Sequence, residues 1–593
     1  MIKDRVNKIQ QLMKEKNIDV YVIPTADYHA SEYIHEYFNE RKYISGFTGS
    51  SAMVVITQTE AGLWTDGRYF IQAETQLEGS GIILFKMGEE NVPTVDEYIK
   101  KMLPKNGTLG ADGRMISAAT GNDWTRICAD KNGTFNDEVL LVSQIWDDRP
   151  TLPKDEAFYL EEKYSGESAS SKLERVRAFM KNNNATAHLL TTLDDIAWLL
   201  NIRGNDIPCN PVVLSYVLVT MNEVHLFVDE TKIVGEIKTH VPNLVLHPYN
   251  DIYEYIKTVK GSLLYDASKI NYALNIRINA EAERVVSINP EVLMKSMKNT
   301  TEVSNLKKAH IKDGLAITKL IYWLKEAVKS EQISEVDAIE YLEKCREEND
   351  GYLGPSFSAI GAYNSNAAMM HYNPKGVSTP TYLKDNGFYL IDSGGQYYEG
   401  TTDITRTISL GKIDEEWKKH YTLVLKGVIK LSMARFLYGC TGVNLDILAR
   451  GSLWDLGIDY RSGTGHGVGY LLNVHEAPNG FRWKVVPERN DSAILEEGMV
   501  TTIEPGVYIE GSHGIRIENE LVCQKSMKNE YGQFMDFETI TVCPIDLEPV
   551  IKDLLDPSEI DFLNFYHKHV YEILAPLLSK EQSEWLRKET RAI

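Results

Sequence analysis

Between residues 388 and 523 the chain carries four carboxylates inside stretches that read as paired β-strands, and this constrains the fold more than any other feature. In YLIDSGGQYYEGTTDITRTISL, Asp392 and Asp403 are eleven residues apart. Eleven residues also return to one face of an α-helix, so spacing alone leaves helix and hairpin open. The Gly394-Gly395 pair, Gly400, and the β-branched Thr401, Thr402, Ile404, Thr405, Thr407 and Ile408 favour two strands and a turn. Such a hairpin sets both carboxylates on one face. Buried side by side they repel, and one takes up a proton unless a cation lies between them. For this pair alone, surface aspartates flanking a turn are the plainer alternative.

The same logic returns in MVTTIEPGVYIEGSHGIRIENELV, where Glu504 and Glu518 are fourteen residues apart across a turn at Gly511 to Gly514. Pro505 and Gly506 end the first strand's regular pairing just after the acid. In the second strand, Arg516, Glu518 and Glu520 share one face. Arg516 there either orients a carboxylate or balances a hydroxide, with an ordinary salt bridge as the alternative.

A fifth donor stands in RSGTGHGVGYLLNVHEAP, where Gly463, Gly465, Gly467 and Gly469 surround His466 and let backbone approach a crowded centre. The spacing does not match a dinucleotide-binding or phosphate-cradling glycine loop. Four carboxylates and an imidazole exceed the ligand count of a single closed zinc site. They suit two divalent ions about 3.5 to 4 Å apart with bridging carboxylates. The oxygen-rich set favours Mn²⁺, with Co²⁺ or Zn²⁺ as alternatives. Such a pair holds a bridging hydroxide at neutral pH, polarises a carbonyl and accepts a free amino group, which suits hydrolysis of an N-terminal peptide bond.

At 593 residues the chain exceeds what one core usually organises. Pro150 and Pro153 among charges mark a border near 155; the polar cluster before AHIKDGLAITKLIYWL marks another near 300. The expected domains are 1–154, 155–300 and 301–593. The first two share an order of elements, an amphipathic helix followed by strands and Asp-bearing turns, like a duplicated α/β unit. The third reads as α+β, with helices at 305–349 and 415–438, strands at 388–393, 402–410, 499–510 and 514–523, and a helical tail that packs on the domain or on a second subunit.

The formal charge of −21 opposes binding to nucleic acid or an anionic membrane. The first helix, with Val6, Ile9 and Leu12 or Met13 on one face, lacks the apolar core of a signal peptide, and no stretch approaches the roughly 18 apolar residues of a membrane span. A cytoplasmic location is expected. Six scattered cysteines with no Cys-x-x-Cys pair read as reduced and mostly buried thiols.

IDSG with TTDITRT, GTGHGVG with NVHE, IEPG, and GIRIEN together resemble the signatures of the pita-bread metallopeptidases, and nearly the whole chain resembles the long, three-domain Xaa-Pro aminopeptidase (aminopeptidase P) form. The resemblance implies two creatinase-like α/β domains ahead of a pita-bread catalytic domain. It implies metal ligation by Asp392, Asp403, His466, Glu504 and Glu518, with Asp403 and Glu518 bridging. It gives His371 and His475 the roles of positioning substrate and stabilising the tetrahedral intermediate, and makes Glu504 the general base. It also implies a homodimer, a cleft walled by the N-terminal domains, and peptide substrates with proline second. One departure is Ser462, where the family often has a further histidine that bears on the proline side. Prolidase, which cleaves Xaa-Pro dipeptides with the same ligands, is the alternative enzyme; a non-catalytic peptide-binding module is the alternative class.

Overall fold

A computed structural model describes residues 2–377 and 379–593. The chain divides into two compact units: Met1–Tyr159, Glu167–Pro208 and Val212–Glu291 form the first, and Leu160–Gly166, Cys209–Pro211 and Val292–Ile593 the second.

The first unit opens with α1 (Ile2–Glu15), whose Val6, Ile9 and Met13 are buried at helical spacing. Strands β1 (Val20–Pro24), β2 (Met53–Thr57), β3 (Ala61–Thr65), β4 (Ile82–Lys86), β5 (Thr108–Gly110) and β6 (Thr134–Asn136) form a sheet of order β4-β3-β2-β1-β5-β6. Alternate residues of β1 enter different cores. Tyr21 and Ile23 pack with the α1 face, while Val20 and Val22 pack with Trp64, Leu109 and Trp124. Covered on both sides, β1 is apolar throughout instead of alternating.

A second sheet follows α2 (Ala169–Asn182). Strands β7 (Ala187–Leu190), β8 (Tyr216–Thr220), β9 (Val224–Val228), β10 (Leu244–Pro248), β11 (Ser262–Tyr265) and β12 (Glu283–Val286) run in the order β10-β9-β8-β7-β11-β12. Strand for strand, the parallel and antiparallel senses repeat those of the first sheet. The repeat expected from the sequence is thus carried by topology.

In the second unit, Asn299 and Glu302 form a capping box at the start of α3 (Thr300–Ala327), and α4 (Glu335–Glu347) runs after a break, so the expected helical stretch is two helices. Strands β13 (Ile360–Tyr363), β14 (Phe388–Ser393) and β15 (Ile404–Ser409) pair antiparallel, with Asp392 opposite Thr405. Helix α5 (Glu415–Ser432) stops short of residue 438, and Phe436–Leu437 is a strand. Helix α6 (Gly442–Trp454) is absent from the sequence reading, because its buried face carries the Asp446–Arg450 ion pair among the apolar residues. The sheet beyond contains β16 (Gly465–Gly467), β17 (Glu476–Phe481), β18 (Val500–Ile503), β21 (Asn519–Asn529) and β22 (Gly532–Thr539) in the order β22-β21-β18-β16-β17; β19 (Gly506–Ile509) pairs with β20 (His513–Arg516). Helices α7 (Pro557–Leu574) and α8 (Lys580–Glu589) bury Leu563, Val570, Leu574 and Leu586 in this unit's own core.

All six cysteines are free, four of them buried. Among the described residues, no helix is long and apolar enough to cross a membrane.

Candidate metal centre

The two expected strands that carry Glu504 and Glu518 are each interrupted at the carboxylate. Ile503 pairs with Asn519 and Gly506 with Arg516 in one register, so Glu504 stands opposite Glu518 in the gap between β18/β21 and β19/β20. Pro505 has no N–H to continue the ladder. The Glu504 N–H donates instead to the Thr464 carbonyl (2.7 Å), and the Glu518 N–H to the Thr405 carbonyl (3.1 Å). The two ends of the hairpin thereby tie to β15 and to the His466 strand. Asp392 lies on β14, and Asp403 immediately precedes β15, its N–H donating to Glu520 Oε1 (2.7 Å).

His466 lies on β16 between close-packed strands; a Cβ at Gly465 would stand 1.9 Å from the Thr502 carbonyl oxygen. Its Nδ1 is 2.9 Å from the carbonyl oxygen of Gly467, which can only accept, so Nδ1 carries the proton. Nε2, the ring nitrogen left free to ligate, lies 3.5 Å from Asp403 Oδ2 and 3.6 Å from Glu504 Oε1. Three potential ligand atoms thus face one another. Among the described residues, Asp403, His466 and Glu518 bring ligand atoms within 4.8 Å of one another.

The electrostatics agree. Burial first, then Asp392, Glu504 and Glu520, hold the Asp403 carboxyl well above the usual carboxylate range. Burial, then Asp403, Glu504 and Asp392, do the same for Glu518. Asp392 Oδ1, Asp403 Oδ1 and Glu518 Oε1 are buried with no hydrogen-bond partner among the described residues. Unpartnered buried carboxylate oxygens are costly in a protein interior, and a divalent cation answers both the repulsion and the missing partners. The donor set fits such ions.

Arg516 is buried and donates to Asp392 Oδ2, to the Tyr508 hydroxyl (2.8 Å) and to Thr405 Oγ1 (3.2 Å). It pairs with the opposite hairpin instead of with its neighbour Glu518. Burial opposes its charge, but Tyr508, Asp392, Glu504 and Glu518 hold it protonated. The His475 ring is exposed and stands edge-on to His466, centroids 4.3 Å apart. His371 is exposed in the turn after the 3-10 helix Asn364–Ala368. Ser462 accepts from Arg450 through its backbone carbonyl (3.1 Å).

Four partners escaped the sequence reading. Thr405 Oγ1 donates to Glu518 Oε2 (2.6 Å), Tyr508 meets Arg516, Glu520 holds the Asp403 backbone, and His310 Nε2 lies 3.1 Å from Glu520 Oε2. Glu520 had a signal, since it shares strand alternation with Glu518. His310 had none, being a lone histidine on a long helix.

Residues 5–138 and 148–302 each match a creatinase/prolidase N-terminal domain, residues 304–525 match metallopeptidase family M24, and 533–593 match the C-terminal region of peptidase M24. Xaa-Pro aminopeptidase 1 of Dictyostelium discoideum is 36% identical, over 100% of this chain and 97% of its own length. Aminopeptidase P2 of Arabidopsis thaliana is also 36% identical, over 100% and 89%. The X-prolyl aminopeptidase of Caenorhabditis elegans, described as a cytosolic enzyme with a di-nuclear active site, superposes with a TM-score of 0.92 at 33% identity, over 100% of both chains. The Xaa-Pro dipeptidase of Bacillus anthracis superposes at 0.52 with 26% identity, over 64% of this chain and 99% of that one. The chain belongs to metallopeptidase family M24, in the branch formed by these full-length Xaa-Pro aminopeptidases.

Proposed function

We propose that this chain removes the first residue from peptides having proline second, and that Asp392, Asp403, His466, Glu504 and Glu518 hold two divalent cations for that reaction. The observation that carries the reading is the approach of ligand atoms of Asp403, His466 and Glu518 to within 4.8 Å of one another, the two carboxylates each keeping a buried oxygen with no hydrogen-bond partner among the described residues. When bound, a cation pair supplies a water activated at neutral pH and a polarised scissile carbonyl. The oxygen-rich donors favour Mn²⁺ over Co²⁺ or Zn²⁺.

The chain's own groups divide the remaining work. The Glu504 carboxylate, partly open to solvent, takes the proton of the attacking water and returns it to the proline nitrogen as the peptide bond breaks. His475, whose ring stands edge-on to His466, and the exposed His371 donate to the carbonyl oxygen as it gains charge. Arg516 fixes Asp392 from behind. Asp403 and Glu518 would supply further carboxylate ligands to the cation pair. The domains 1–154, 155–300 and 301–593, a homodimer and a cytoplasmic location belong to the same proposal; the cytosolic Caenorhabditis relative supports the last.

Prolidase is the second reading. The Bacillus dipeptidase accounts for only 64% of this chain, whereas the aminopeptidases account for all of it, which favours the aminopeptidase. The test is turnover of an Xaa-Pro-Pro tripeptide against an Xaa-Pro dipeptide by Mn²⁺-reconstituted protein. Cleavage of the tripeptide is expected; activity confined to the dipeptide makes the chain a prolidase, and none on either leaves a binding module.

A further inference from the structure

Strand alternation on β14 sends Ser393 to the face opposite Asp392. Ser393 follows Asp392 and Thr402 precedes Asp403, and both are fully buried. Behind them lies an ion pair from two helices, Asp313 on α3 and Arg346 on α4, with side chains 0% and 1% exposed. Arg346 grips Asp313 with two prongs, Nε to Oδ1 at 2.6 Å and Nη2 to Oδ2 at 3.2 Å. The same Nη2 donates to Ser393 Oγ (3.1 Å), and Thr402 Oγ1 donates to Asp313 Oδ2 (2.9 Å). Tyr397, on the loop between the two aspartates, donates to Asp313 Oδ1 (3.1 Å). One ion pair thus touches both ends and the middle of the segment separating Asp392 from Asp403.

That segment is tightly closed. A Cβ at Gly394 would lie 1.7 Å from the Thr402 carbonyl oxygen, which also accepts from Ser356 Oγ (2.8 Å). The Gly395 N–H donates to Thr402 Oγ1 (2.9 Å). Thr402 is the joint at which the loop, the ion pair and the Asp403 backbone meet.

We propose that Asp313 and Arg346 form a positioning pair that sets the separation of Asp392 and Asp403, and through it the affinity of the centre for its second cation. This rests on reading those aspartates as ligands. A buried ion pair contributes little net stability, and replacing both partners by apolar residues is often neutral, so placement is what it supplies here. The pair is neutral as a whole and adds no charge to a site already crowded with carboxylates. It resists the mutual repulsion of the acids mechanically, from the far side of the strands.

The experiment titrates Mn²⁺ calorimetrically into metal-free protein and follows tripeptide hydrolysis. The native chain takes up two ions. The double variant Asp313→Leu/Arg346→Met, which leaves no lone buried charge, is expected to lose about ten-fold or more in affinity for at least one ion, the usual cost of removing an outer-shell partner. Thr402→Val, which cuts the joint and leaves the ion pair intact, is expected to show the same loss, and Thr402→Ser to restore it. The equally buried Asp206–Lys232 pair of the first unit is the control. Asp206→Leu/Lys232→Met is expected to bind Mn²⁺ as the native chain does. Native affinity in both Thr402→Val and the double variant overturns the inference, as does an equal loss in the control. Thr402→Val decides the matter if the double variant does not fold. Two ions bound by the native chain uphold the ligand reading whichever way the variants fall; no Mn²⁺ bound by the native chain overturns that reading and this inference with it.

Discussion

The guanidinium of Arg516 is bonded to Asp392 on the opposing hairpin, not to Glu518, two residues along its own chain. It also reaches Tyr508 and Thr405, so one planar cation orients three groups around the centre. Lysine keeps the charge but lacks the fork. Arg516→Lys is therefore expected to reduce kcat/KM by about 10- to 100-fold, with cations still bound. Steady-state kinetics beside elemental analysis check this, and unchanged kinetics would remove Arg516 from the orienting role.

Asp403→Asn preserves side-chain shape while deleting one negative charge from the most crowded point of the site. The expected outcome is loss of stoichiometric metal and of peptide cleavage together, because the residue lies within ligand distance of both His466 and Glu518. Elemental analysis of the purified variant decides it: full metal content with full cleavage would dismantle the two-cation proposal.

His475 and His466 are in ring contact yet are expected to behave differently. His475→Ala should lower kcat by about one to three orders of magnitude, the range for losing an acid/base or oxyanion contact, while metal content stays complete. His466→Ala should lose metal. Metal depletion in His475→Ala would make that residue structural instead.

The raised carboxyls of Asp403 and Glu518 give the metal-free chain a definite pH dependence. Folded protein holds protons there that unfolded chain has released, so stability falls as pH rises from the unfolded carboxylate range, about 4, toward the raised folded values. Because bound cations replace those protons, the Tm gained on saturation with Mn²⁺ is expected to grow as pH rises from about 5 to about 8, which separates the carboxyls from the buried histidines that titrate in both forms. Thermal unfolding with and without Mn²⁺ measures it. A Mn²⁺-induced gain in Tm that is independent of pH across this range contradicts the crowding argument.

Local pattern made much of this protein legible. β-Branched runs broken by glycine predicted the strand that carries Asp392 and those that flank Glu504 and Glu518, and apolar spacing predicted the face of α1, because strand and helix periods are properties of adjacent residues. The Asp392–Asp403 connection is more than a simple turn, however. The segment between them folds back as a short hairpin of its own, Gly395–Tyr397 against Gly400–Thr401, and Asp403 sits just ahead of its strand.

What the chain's order of residues determined alone was the inventory: which donors exist, on which kind of element, and in what sequence. Tertiary structure decided which of them meet. Asp446 and Arg450 disguise the buried face of α6, Asp313 and Arg346 stand 33 residues apart before they clasp behind two strands, and Arg516 takes a partner 124 residues away. A charged residue reads locally as solvent-facing whether or not a distant counter-charge will bury it, since the Coulomb and desolvation terms that settle its place depend on neighbours brought together only by the complete fold.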